Sequence, residues 1–497
     1  MQRREFVIRA SIGAAGMALG AGQSPETAEA ARLRLQRAGT YDAANFPPDF
    51  WWGAATASYQ VEGAAAEDGR KPSVWDTFSR MPGRTVNGDT GDVACDHYHR
   101  FEDDVKLMAE LGIKHYRFSI AWPRVIPDGR GAVNEKGLDF YRRLADALLK
   151  HGITPHATLF HWDSPQALED RYGSWRSREM AKDFADYCTA AVRALSGRVK
   201  HWMTINEINC FTTLGYGVGK VPQHAPGTVV KTRKEVFQTV HHALLAHGLG
   251  CQAIRAAAAG PCHVSLVDDF CCYVPVIESA EHIAAAGRAF CSEEHNGTTL
   301  LPALTGRYDP LTLADLGGDA PDVKDGDLKT INQPLDALGF NNYTGRYVRA
   351  SDNPRGYEVL PMQESYPKMN MPCLNFLPEA PYWGVRMIRE ALNRGDLPVF
   401  VSENGCASED VLSPSGEVFD TDRVMYLRSY LRQLQRAAAE GYPVKGYFQW
   451  SLMDNFEWSC GYTKRFGITY VDYKTQRRIP KLSYRWYQQV IRENRVL

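Results

Sequence analysis

The sequence lacks an excess of charge of either sign. It has 57 Lys and Arg residues against 58 Asp and Glu residues, so its formal net charge at pH 7 is −1. A protein that binds nucleic acid through its phosphates usually carries a strongly basic surface. The balance of charge gives no sign of such a surface, and we therefore expect no nucleic-acid partner.

Paired cysteine motifs are missing as well. The 11 cysteines stand at irregular spacings, and no two of them form a C-x-x-C pair. Because zinc sites and disulfide frameworks are recognised by regular cysteine spacing, the sequence predicts neither. We expect most of these thiols to be small buried apolar groups. We also expect no metal ion and no cofactor.

Long apolar runs are absent beyond the N-terminus. The N-terminus itself has Arg3-Arg4, an uncharged stretch at residues 10–22 and small residues around Ala28 and Ala30. This order is typical of a signal peptide, and the paired arginines resemble the bacterial twin-arginine signal. We predict that residues 1–30 are this signal, with export to the bacterial periplasm or outside the cell. The uncharged stretch is too short to span a membrane, so we expect no membrane segment in the mature protein.

Linkers, repeats and low-complexity tracts are missing from about residue 45 onward. Helical periodicity appears instead, for example at Phe101, Val105, Met108 and Leu111. Such patterns alternate with eight short β-prone runs, at residues 50–59, 115–120, 154–160, 201–205, 263–267, 338–343, 398–402 and 445–450. Eight strands that alternate with helices favour parallel βα units. The sequence predicts an α/β fold, a (β/α)8 TIM barrel that forms a single catalytic domain over residues 46–490. A doubly wound open sheet is the alternative.

Polar side chains collect where the predicted strands end. His161 follows the third run, Asn206 and Glu207 follow the fourth, and Glu403 follows the seventh. In a (β/α)8 barrel these ends form the active-site face. Two carboxyl groups suffice to break a glycosidic bond, because one protonates the leaving oxygen and the other acts at the anomeric carbon. Glu207 and Glu403 are the best candidates for this pair.

Long motifs around these residues resemble a known family. The segments at 204–207 (TINE) and 401–405 (VSENG) are similar to the two catalytic segments of glycoside hydrolase family 1. Four further segments resemble barrel strands of that family: FWWGAATASYQVEG at 50–63, HYRFSIAW at 115–122, LFHWD at 159–163 and WSLMDNFEW at 450–458. The resemblance implies a retaining β-glycosidase that hydrolyses terminal β-D-glucosyl residues, with β-galactosides or β-fucosides as further substrates. Its expected partners are small-molecule β-glycosides or oligosaccharides.

The resemblance also implies a role for each matching residue. Glu403 would be the nucleophile that forms a covalent glycosyl-enzyme, and Glu207 would be the acid/base. Arg117 and Tyr343 would hydrogen-bond the nucleophile, and the guanidinium would hold its pKa down. Contacts to the sugar are implied for ten residues: Gln60, His161, Trp162, Asn206, Asn341, Tyr343, Trp450, Glu457, Trp458 and Phe466.

The sequence departs from the family pattern in three places, one of which is Asn342, where an aromatic residue is common. Ile208 follows the acid/base where the family usually has proline, which is similar to the 6-phospho-glycosidase branch. That branch has Ser where Glu457 stands and Tyr where Phe466 stands, so we favour an unphosphorylated sugar. Residues 291–330 also differ from the pattern, and we interpret His295 within them as part of a loop.

Three other functions are alternatives. A thioglucosidase of this family lacks the acid/base carboxyl, whereas Glu207 is present here. A catalytically silent sugar-binding barrel is disfavoured because both Glu207 and Glu403 are retained. A transglycosylase, in which an alcohol or a sugar replaces water in the second step, stays open.

Export can be tested through the paired arginines. Replacing Arg3 and Arg4 together with Lys keeps the charge but removes the guanidinium pair that the twin-arginine system recognises. We expect β-glycosidase activity to stay in the cytoplasm of a bacterium with that system, as measured by cell fractionation. The control Arg32→Lys, beyond the predicted signal, should be exported normally. Unchanged export of the double variant would contradict the prediction.

Overall fold

The computed structural model describes residues 45–497. The predicted signal at residues 1–30 lies outside the described residues. Within them the strands are, in chain order, β1 (Trp51–Ala55), β2 (His115–Ser119), β3 (Thr154–Phe160), β4 (His201–Asn206), β5 (Tyr216–Val218), β6 (Thr228–Val230), β7 (His263–Asp268), β8 (Tyr273–Pro275), β9 (Ala337–Asn341), β10 (Arg346–Ala350), β11 (Tyr357–Val359), β12 (Val399–Asn404), β13 (Val444–Trp450), β14 (Thr469–Asp472) and β15 (Arg477–Pro480).

The helices surround these strands. They are α1 (Ser58–Val61), α2 (Val74–Ser79), α3 (His97–Leu111), α4 (Trp122–Val125), α5 (Glu135–Lys150), α6 (Gln166–Tyr172), α7 (Glu179–Leu195), α8 (Ile208–Thr213), α9 (Arg233–Ala257), α10 (Ala280–Ser292), α11 (Glu294–Thr298), α12 (Leu300–Thr305), α13 (Pro310–Leu316), α14 (Asp327–Ile331), α15 (Ala380–Glu390), α16 (Thr421–Ala439) and α17 (Leu482–Glu493). Short 3-10 turns stand at Val86–Gly88, Ser174–Arg176, Gly317–Asp319 and Trp458–Cys460. None of the helices described is long and apolar enough to cross a membrane.

Eight parallel strands close into one barrel in the order β1-β2-β3-β4-β7-β9-β12-β13. Each of the eight predicted runs overlaps one of these strands, so the predicted (β/α)8 barrel is confirmed and the open sheet is wrong. The remaining strands form three small sheets outside the barrel, β11-β10-β8, β14-β15 and β5-β6. Because all eight barrel strands run the same way, their carboxyl ends meet on one face.

The helices pack on the barrel through the apolar stripes seen in the sequence. In α3 the predicted periodic residues Phe101, Val105, Met108 and Leu111 are all buried. The helices α5 and α16 bury one face in the same way. Burial of side chains that recur every three to four residues fixes which side of each helix faces the barrel.

Two segments differ from the prediction. The first run was expected to be extended from 50 to 59, but β1 ends at Ala55 and Ser58–Val61 form the short helix α1. Here the backbone N–H of Ser58 donates to Ser119 Oγ, at the end of β2, at 2.6 Å. The loop expected around His295 is also wrong, because this residue lies in α11. Short polar helices of this kind leave no periodic apolar pattern in the sequence.

Four histidines at the other end of the barrel form a stack across neighbouring strands. His115 Nδ1 lies 2.9 Å from His156 Nε2, and the ring centroids of His156 and His201 are 4.2 Å apart. The ring of His263 continues the stack at 4.7 Å from His201. Burial lowers the pKa of His115 to about 3 and that of His201 to about 4, so the rings of these two residues pack as neutral groups. They fill the floor of the barrel together with Trp51.

Gly405 allows a close contact at the face where the strands end. A Cβ atom at this position would lie 1.6 Å from the carbonyl oxygen of Trp450. Gly405 follows β12 directly, and Trp450 is the last residue of β13. Only a residue without a side chain lets these two neighbouring strand ends approach so closely.

We expect Gly405→Ala to destabilise the protein by about 1–3 kcal/mol or more, because the added Cβ meets a backbone atom that cannot rotate away. Thermal unfolding followed by circular dichroism would measure the loss. The matched control is Gly197→Ala, since a Cβ at Gly197 would meet nothing within 4 Å. Equal unfolding temperatures for the two variants would contradict the importance of this contact.

Candidate active site

Glu207 stands at the end of β4, as its position in the sequence predicts. It follows Asn206 directly and precedes α8, and its backbone N–H donates to the carbonyl of Val267 at 3.0 Å. Its carboxyl group is buried, and Oε1 accepts a hydrogen bond of 2.6 Å from Asn341 Nδ2. The side chain is thus held between the ends of β4 and β9.

Glu403 lies on β12, three strands further around the barrel from β4. Its Oε1 accepts a 2.5 Å hydrogen bond from Arg117 Nη1, and its Oε2 accepts one of 2.9 Å from the Tyr343 hydroxyl. Both oxygens of this buried carboxylate therefore have a donor. These are the two partners that the resemblance implies for the nucleophile.

The two glutamates differ in what surrounds them. Burial, and then the charges of Asp269 and Glu403, raise the pKa of Glu207 well above its ordinary value. Burial also raises the pKa of Glu403, although Arg117, Tyr343 and Asn341 all act to lower it. The expectation that Arg117 holds the pKa of Glu403 down is therefore wrong as a net direction, because burial outweighs the guanidinium. Of the two groups, Glu207 is the one whose surroundings oppose ionisation more strongly.

Asn206 connects the carboxylates to the rest of the site. Its Oδ1 accepts from Arg117 Nη2 at 2.7 Å and from Asn341 Nδ2 at 3.0 Å. Its Nδ2 lies 3.2 Å from His161 Nε2, and its carbonyl accepts from Trp162 Nε1 at 3.0 Å. The predicted residues on β2, β3, β4 and β9 thus share one hydrogen-bond network.

A second group lies in the loop after β13. Gln60 Nε2 donates to Glu457 Oε2 at 3.3 Å and to the Phe456 carbonyl at 2.9 Å. Burial, and then the charge of Glu403, raise the pKa of Glu457 to about 8. These contacts hold a carboxyl and an amide side by side, as expected for residues that bind vicinal hydroxyl groups.

Aromatic rings line the space between these polar groups. The ring centroids of Trp162 and Trp458 are 4.6 Å apart, and those of His161 and Trp450 are 5.9 Å apart. Phe466 packs edge-on against Tyr343 at 5.9 Å. Every residue predicted for the site is therefore in contact with another one, and apolar rings stand beside hydrogen-bonding groups in the way that a sugar ring requires.

Three residues of the site have a left-handed backbone that is unusual outside glycine. The φ angles are 49° for Glu207, 77° for Trp162 and 50° for Trp458. For a bulky residue such as tryptophan this conformation is an outlier. Strained backbone of this kind persists where the surrounding structure fixes it, and it is found most often at functional sites.

Two buried polar atoms of the site have no hydrogen-bond partner among residues 45–497. They are Oε1 of Gln60 and Nδ1 of His161. Buried polar atoms are almost always paired, because an unpaired one costs free energy. Burial, and then Arg117, lower the pKa of His161 well below its ordinary value, so its ring is neutral. Both atoms are available to the hydroxyl groups of a ligand.

Two polar residues that the sequence did not predict for the site, Cys210 and Asp269, lie beside Glu207, and His295 lies against Asp269. Cys210 Sγ donates to Asp269 Oδ2 at 3.3 Å, and His295 Nε2 lies 3.5 Å from the same oxygen. Cys210 was interpreted only as one of many buried thiols, and His295 as part of a loop. Asp269 follows β7 directly, so the rule that polar residues at strand ends form the site could have found it.

Comparison with known proteins agrees with this geometry. The model of glycosyl hydrolase family 1 matches residues 42–496. Beta-glucosidase A of Thermotoga maritima is 42% identical over 452 residues, which are 90% of this chain and 98% of that protein. A bifunctional beta-D-glucosidase/beta-D-fucosidase of Bifidobacterium breve is 42% identical over 472 residues, with 90% and 98% covered.

Solved structures give the same result. The beta-glucosidase from Thermotoga maritima in complex with glucoimidazole matches with a TM-score of 0.81 and 41% identity, over 90% of this chain and 99% of that one. A match of this length and identity covers the whole barrel together with its strand-end motifs. The chain belongs to glycosyl hydrolase family 1 and is a glycoside hydrolase.

Proposed function

We propose that the protein is a retaining β-glucosidase that removes terminal β-D-glucosyl residues through a covalent intermediate on Glu403. The names of its relatives support a glucosidase, among them 1,4-beta-D-glucan glucohydrolase and Thermostable beta-glucosidase B. Small-molecule β-glycosides or oligosaccharides are the proposed substrates. The related β-glucosidase from Thermotoga maritima binds sugar-like inhibitors such as deoxynojirimycin.

The proposal rests on one observation: the two carboxyl groups have different hydrogen-bond partners and different neighbouring charges. Glu403 receives a guanidinium donor and a phenol donor, one on each oxygen. Glu207 accepts an amide hydrogen bond on one oxygen and lies close to the acidic Asp269. Donors stabilise a carboxylate, whereas burial and like charge stabilise the neutral acid. Of the two groups, Glu403 is therefore better suited to be the ionised carboxylate and Glu207 to be the protonated acid.

The protonation states of the two glutamates give each of them a role in the first step of the proposed reaction. A carboxylate oxygen of Glu403 attacks the anomeric carbon, and the bond from that carbon to the leaving oxygen breaks as Glu207 gives its proton to that oxygen. The charge of Glu403 disappears in the ester. Glu207, now ionised, no longer faces an ionised nucleophile.

The second step reverses these roles. Glu207 takes a proton from water, the water oxygen attacks the anomeric carbon, and Glu403 leaves as a carboxylate. Two displacements at the same carbon keep the β configuration. Asn206, which is fixed by Arg117 and Asn341, is suited to bind the 2-hydroxyl group, where contacts strengthen in the transition state.

The choice of sugar depends on the group around Gln60 and Glu457. A carboxyl and an amide can each bind hydroxyl groups at the far end of the ring, and Trp450 offers a flat apolar face. The bifunctional relative from Bifidobacterium breve supports β-fucosides as additional substrates. We therefore propose glucosides first and fucosides second.

A 6-phosphorylated sugar does not suit this pocket. Phosphate needs cationic or hydroxyl donors, whereas Glu457 is acidic and Phe466 is apolar. Lys464, in the loop between β13 and β14, is a single cation against these two residues, and it uses one of its three Nζ donors on Asn370 Oδ1 at 2.9 Å. We also propose that the enzyme acts outside the cytoplasm, where phosphorylated sugars are not expected, on the basis of the paired arginines at its N-terminus.

Rescue by azide can distinguish the role of Glu207 from that of Glu403. Glu207→Ala should slow hydrolysis of phenyl β-D-glucoside by about 10²–10⁴-fold, because the proton donor is lost. With 2,4-dinitrophenyl β-D-glucoside, which needs no acid, the glycosyl-enzyme should accumulate. Azide should then release it as β-D-glucosyl azide, since azide needs no general base. Mass spectrometry of the intermediate and NMR of the product give the measurement.

Glu403→Ala should give the opposite anomer. Without the nucleophile azide attacks the substrate directly, so α-D-glucosyl azide is expected from 2,4-dinitrophenyl β-D-glucoside. Glu110→Ala, an exposed glutamate far from the barrel mouth, is the control and should keep full activity. Exchange of the two anomers between the variants would reverse the assigned roles.

Phosphate provides an independent test of the pocket. We expect kcat/KM for p-nitrophenyl 6-phospho-β-D-glucoside to be at least about 100-fold below that for the unphosphorylated parent, because the phosphate loses its hydration without gaining a cationic partner. Glu457→Ser should reduce the difference in kcat/KM between the two substrates, because it slows turnover of the unphosphorylated p-nitrophenyl β-D-glucoside. A phosphorylated substrate that reacts faster than its parent would refute the proposed pocket.

A further inference from the structure

A second set of polar side chains contacts Glu207 from outside the sugar-binding network. An oxygen of Glu207, the Sγ atom of Cys210 and an oxygen of Asp269 all lie within 4.8 Å of one another. Cys210 stands one turn after Glu207 on α8, and Asp269 follows β7. The acid/base thus shares its surroundings with a thiol and with a second carboxyl group, neither of which the proposed reaction uses.

Asp269 is held as the ionised member of this set. Its Oδ2 accepts from Cys210 Sγ at 3.3 Å and lies 3.5 Å from His295 Nε2. Although burial opposes charge, His295 and Cys210 hold the pKa of Asp269 below its ordinary value. Burial also opposes a charge on His295, but Asp269 raises the pKa of its ring. The two groups stabilise each other as a carboxylate and an imidazolium.

The position of His295 is itself fixed. Asn209 Nδ2 donates to the carbonyl oxygen of His295 at 3.3 Å, which ties α11 to the helix that follows Glu207. His295 Nε2 also lies 3.1 Å from the carbonyl oxygen of Asp269. These two hydrogen bonds tie His295 to α8 and to the residue that follows β7. Its ring therefore stays beside Asp269, which lies close to Glu207.

A fixed carboxylate this near determines where a proton resides. Two ionised carboxyl groups in one buried site repel each other, so one of them retains a proton. Asp269 has an imidazolium and a thiol as partners, whereas Glu207 has the amide of Asn341. The proton therefore belongs on Glu207.

The thiol of Cys210 is a hydrogen-bond donor that either carboxyl group can accept from. Cys210 has one S–H hydrogen but two carboxyl groups within reach. While Glu207 is protonated, the hydrogen points to Asp269, as the 3.3 Å contact indicates. When Glu207 has given its proton away, rotation about the Cβ–Sγ bond brings the same hydrogen to the new carboxylate. No covalent bond forms or breaks in this exchange.

We propose that Asp269, paired with His295, is a positioning residue that keeps the acid/base proton on Glu207, and that Cys210 transfers its hydrogen bond from Asp269 to Glu207 after that proton has left. The inference rests on the proposed role of Glu207. Charged and titratable groups that face this site come from several elements of the fold: Glu403, Tyr343, Asp268, Asp269, Cys210 and His295.

The pH dependence of kcat/KM for phenyl β-D-glucoside tests the first part. Its alkaline limb reports loss of the Glu207 proton in the free enzyme. Removing the like charge with Asp269→Asn lowers the pKa of Glu207, so the limb should move to lower pH by about one unit or more. Asp269→Ser removes the same charge with a smaller side chain and should shift the limb in the same direction. The control Asp103→Asn, at an exposed carboxylate, should leave the limb in place.

The second part is tested at the deglycosylation step. With 2,4-dinitrophenyl β-D-glucoside this step limits kcat, and Glu207 is then ionised. At a pH on the acid limb of kcat, Cys210→Ala should lower kcat by roughly 3- to 10-fold, because loss of one donor to the carboxylate raises the pKa of Glu207 and reduces its ionised fraction. Cys210→Ser, which keeps a hydrogen donor at the same place, should retain most of the rate. Equal rates for the alanine and serine variants would refute the part assigned to the thiol.

Failure of this inference can be told apart from failure of the proposed function. If azide rescues Glu207→Ala as expected but the alkaline limb of both Asp269 variants stays in place, Glu207 is the acid/base and Asp269 does not act on it. If azide fails to rescue Glu207→Ala, the proposed function itself is wrong. Near-UV circular dichroism of each Asp269 variant verifies that the measured protein is folded.

Discussion

The buried guanidinium of Arg117 is the interaction on which the active site depends. From β2 it donates to Glu403 on β12, to Asn206 on β4 and to Thr158 on β3. Burying a charge is costly unless it is paired and its hydrogen bonds are satisfied. Once Arg117 is inside the barrel, Glu403 must stay beside it as a counter-charge. The same guanidinium that pairs with Glu403, the proposed nucleophile, therefore also fixes the residue proposed to bind the 2-hydroxyl group.

The closed parallel barrel makes such an arrangement possible. Each strand delivers its last residues to one face, so side chains far apart in sequence meet without long loops. Tight contacts between neighbouring strand ends, such as the one that Gly405 permits against Trp450, hold that face together. The left-handed backbone of Glu207, Trp162 and Trp458 lies at this face. The rigid barrel supplies the packing that keeps these unfavourable conformations in place.

Burial and hydrogen bonding together divide the work between the glutamates. Both are buried, and burial alone would make both neutral acids. Donors on each oxygen of Glu403 oppose that effect, whereas Asp269 reinforces it at Glu207. Two residues of the same type thus acquire different proton affinities because their neighbours differ. The residues around the two glutamates therefore determine the chemistry of the site as much as the glutamates themselves do.

The sequence by itself determined the barrel and most of the candidate site. Alternating β-prone and helical patterns predicted all eight barrel strands, because the spacing of apolar residues along the chain follows which side chains are buried. Strand-end motifs placed Glu207 and Glu403 in one site, because the strands of a parallel barrel all end on the same face. Only the tertiary structure decided that Gln60 lies on a helix, that burial outweighs Arg117 in the pKa of Glu403, and that Cys210 and Asp269 lie beside Glu207 with His295 against Asp269. These features depend on distances and burial between segments that are remote in sequence, and no local pattern encodes them.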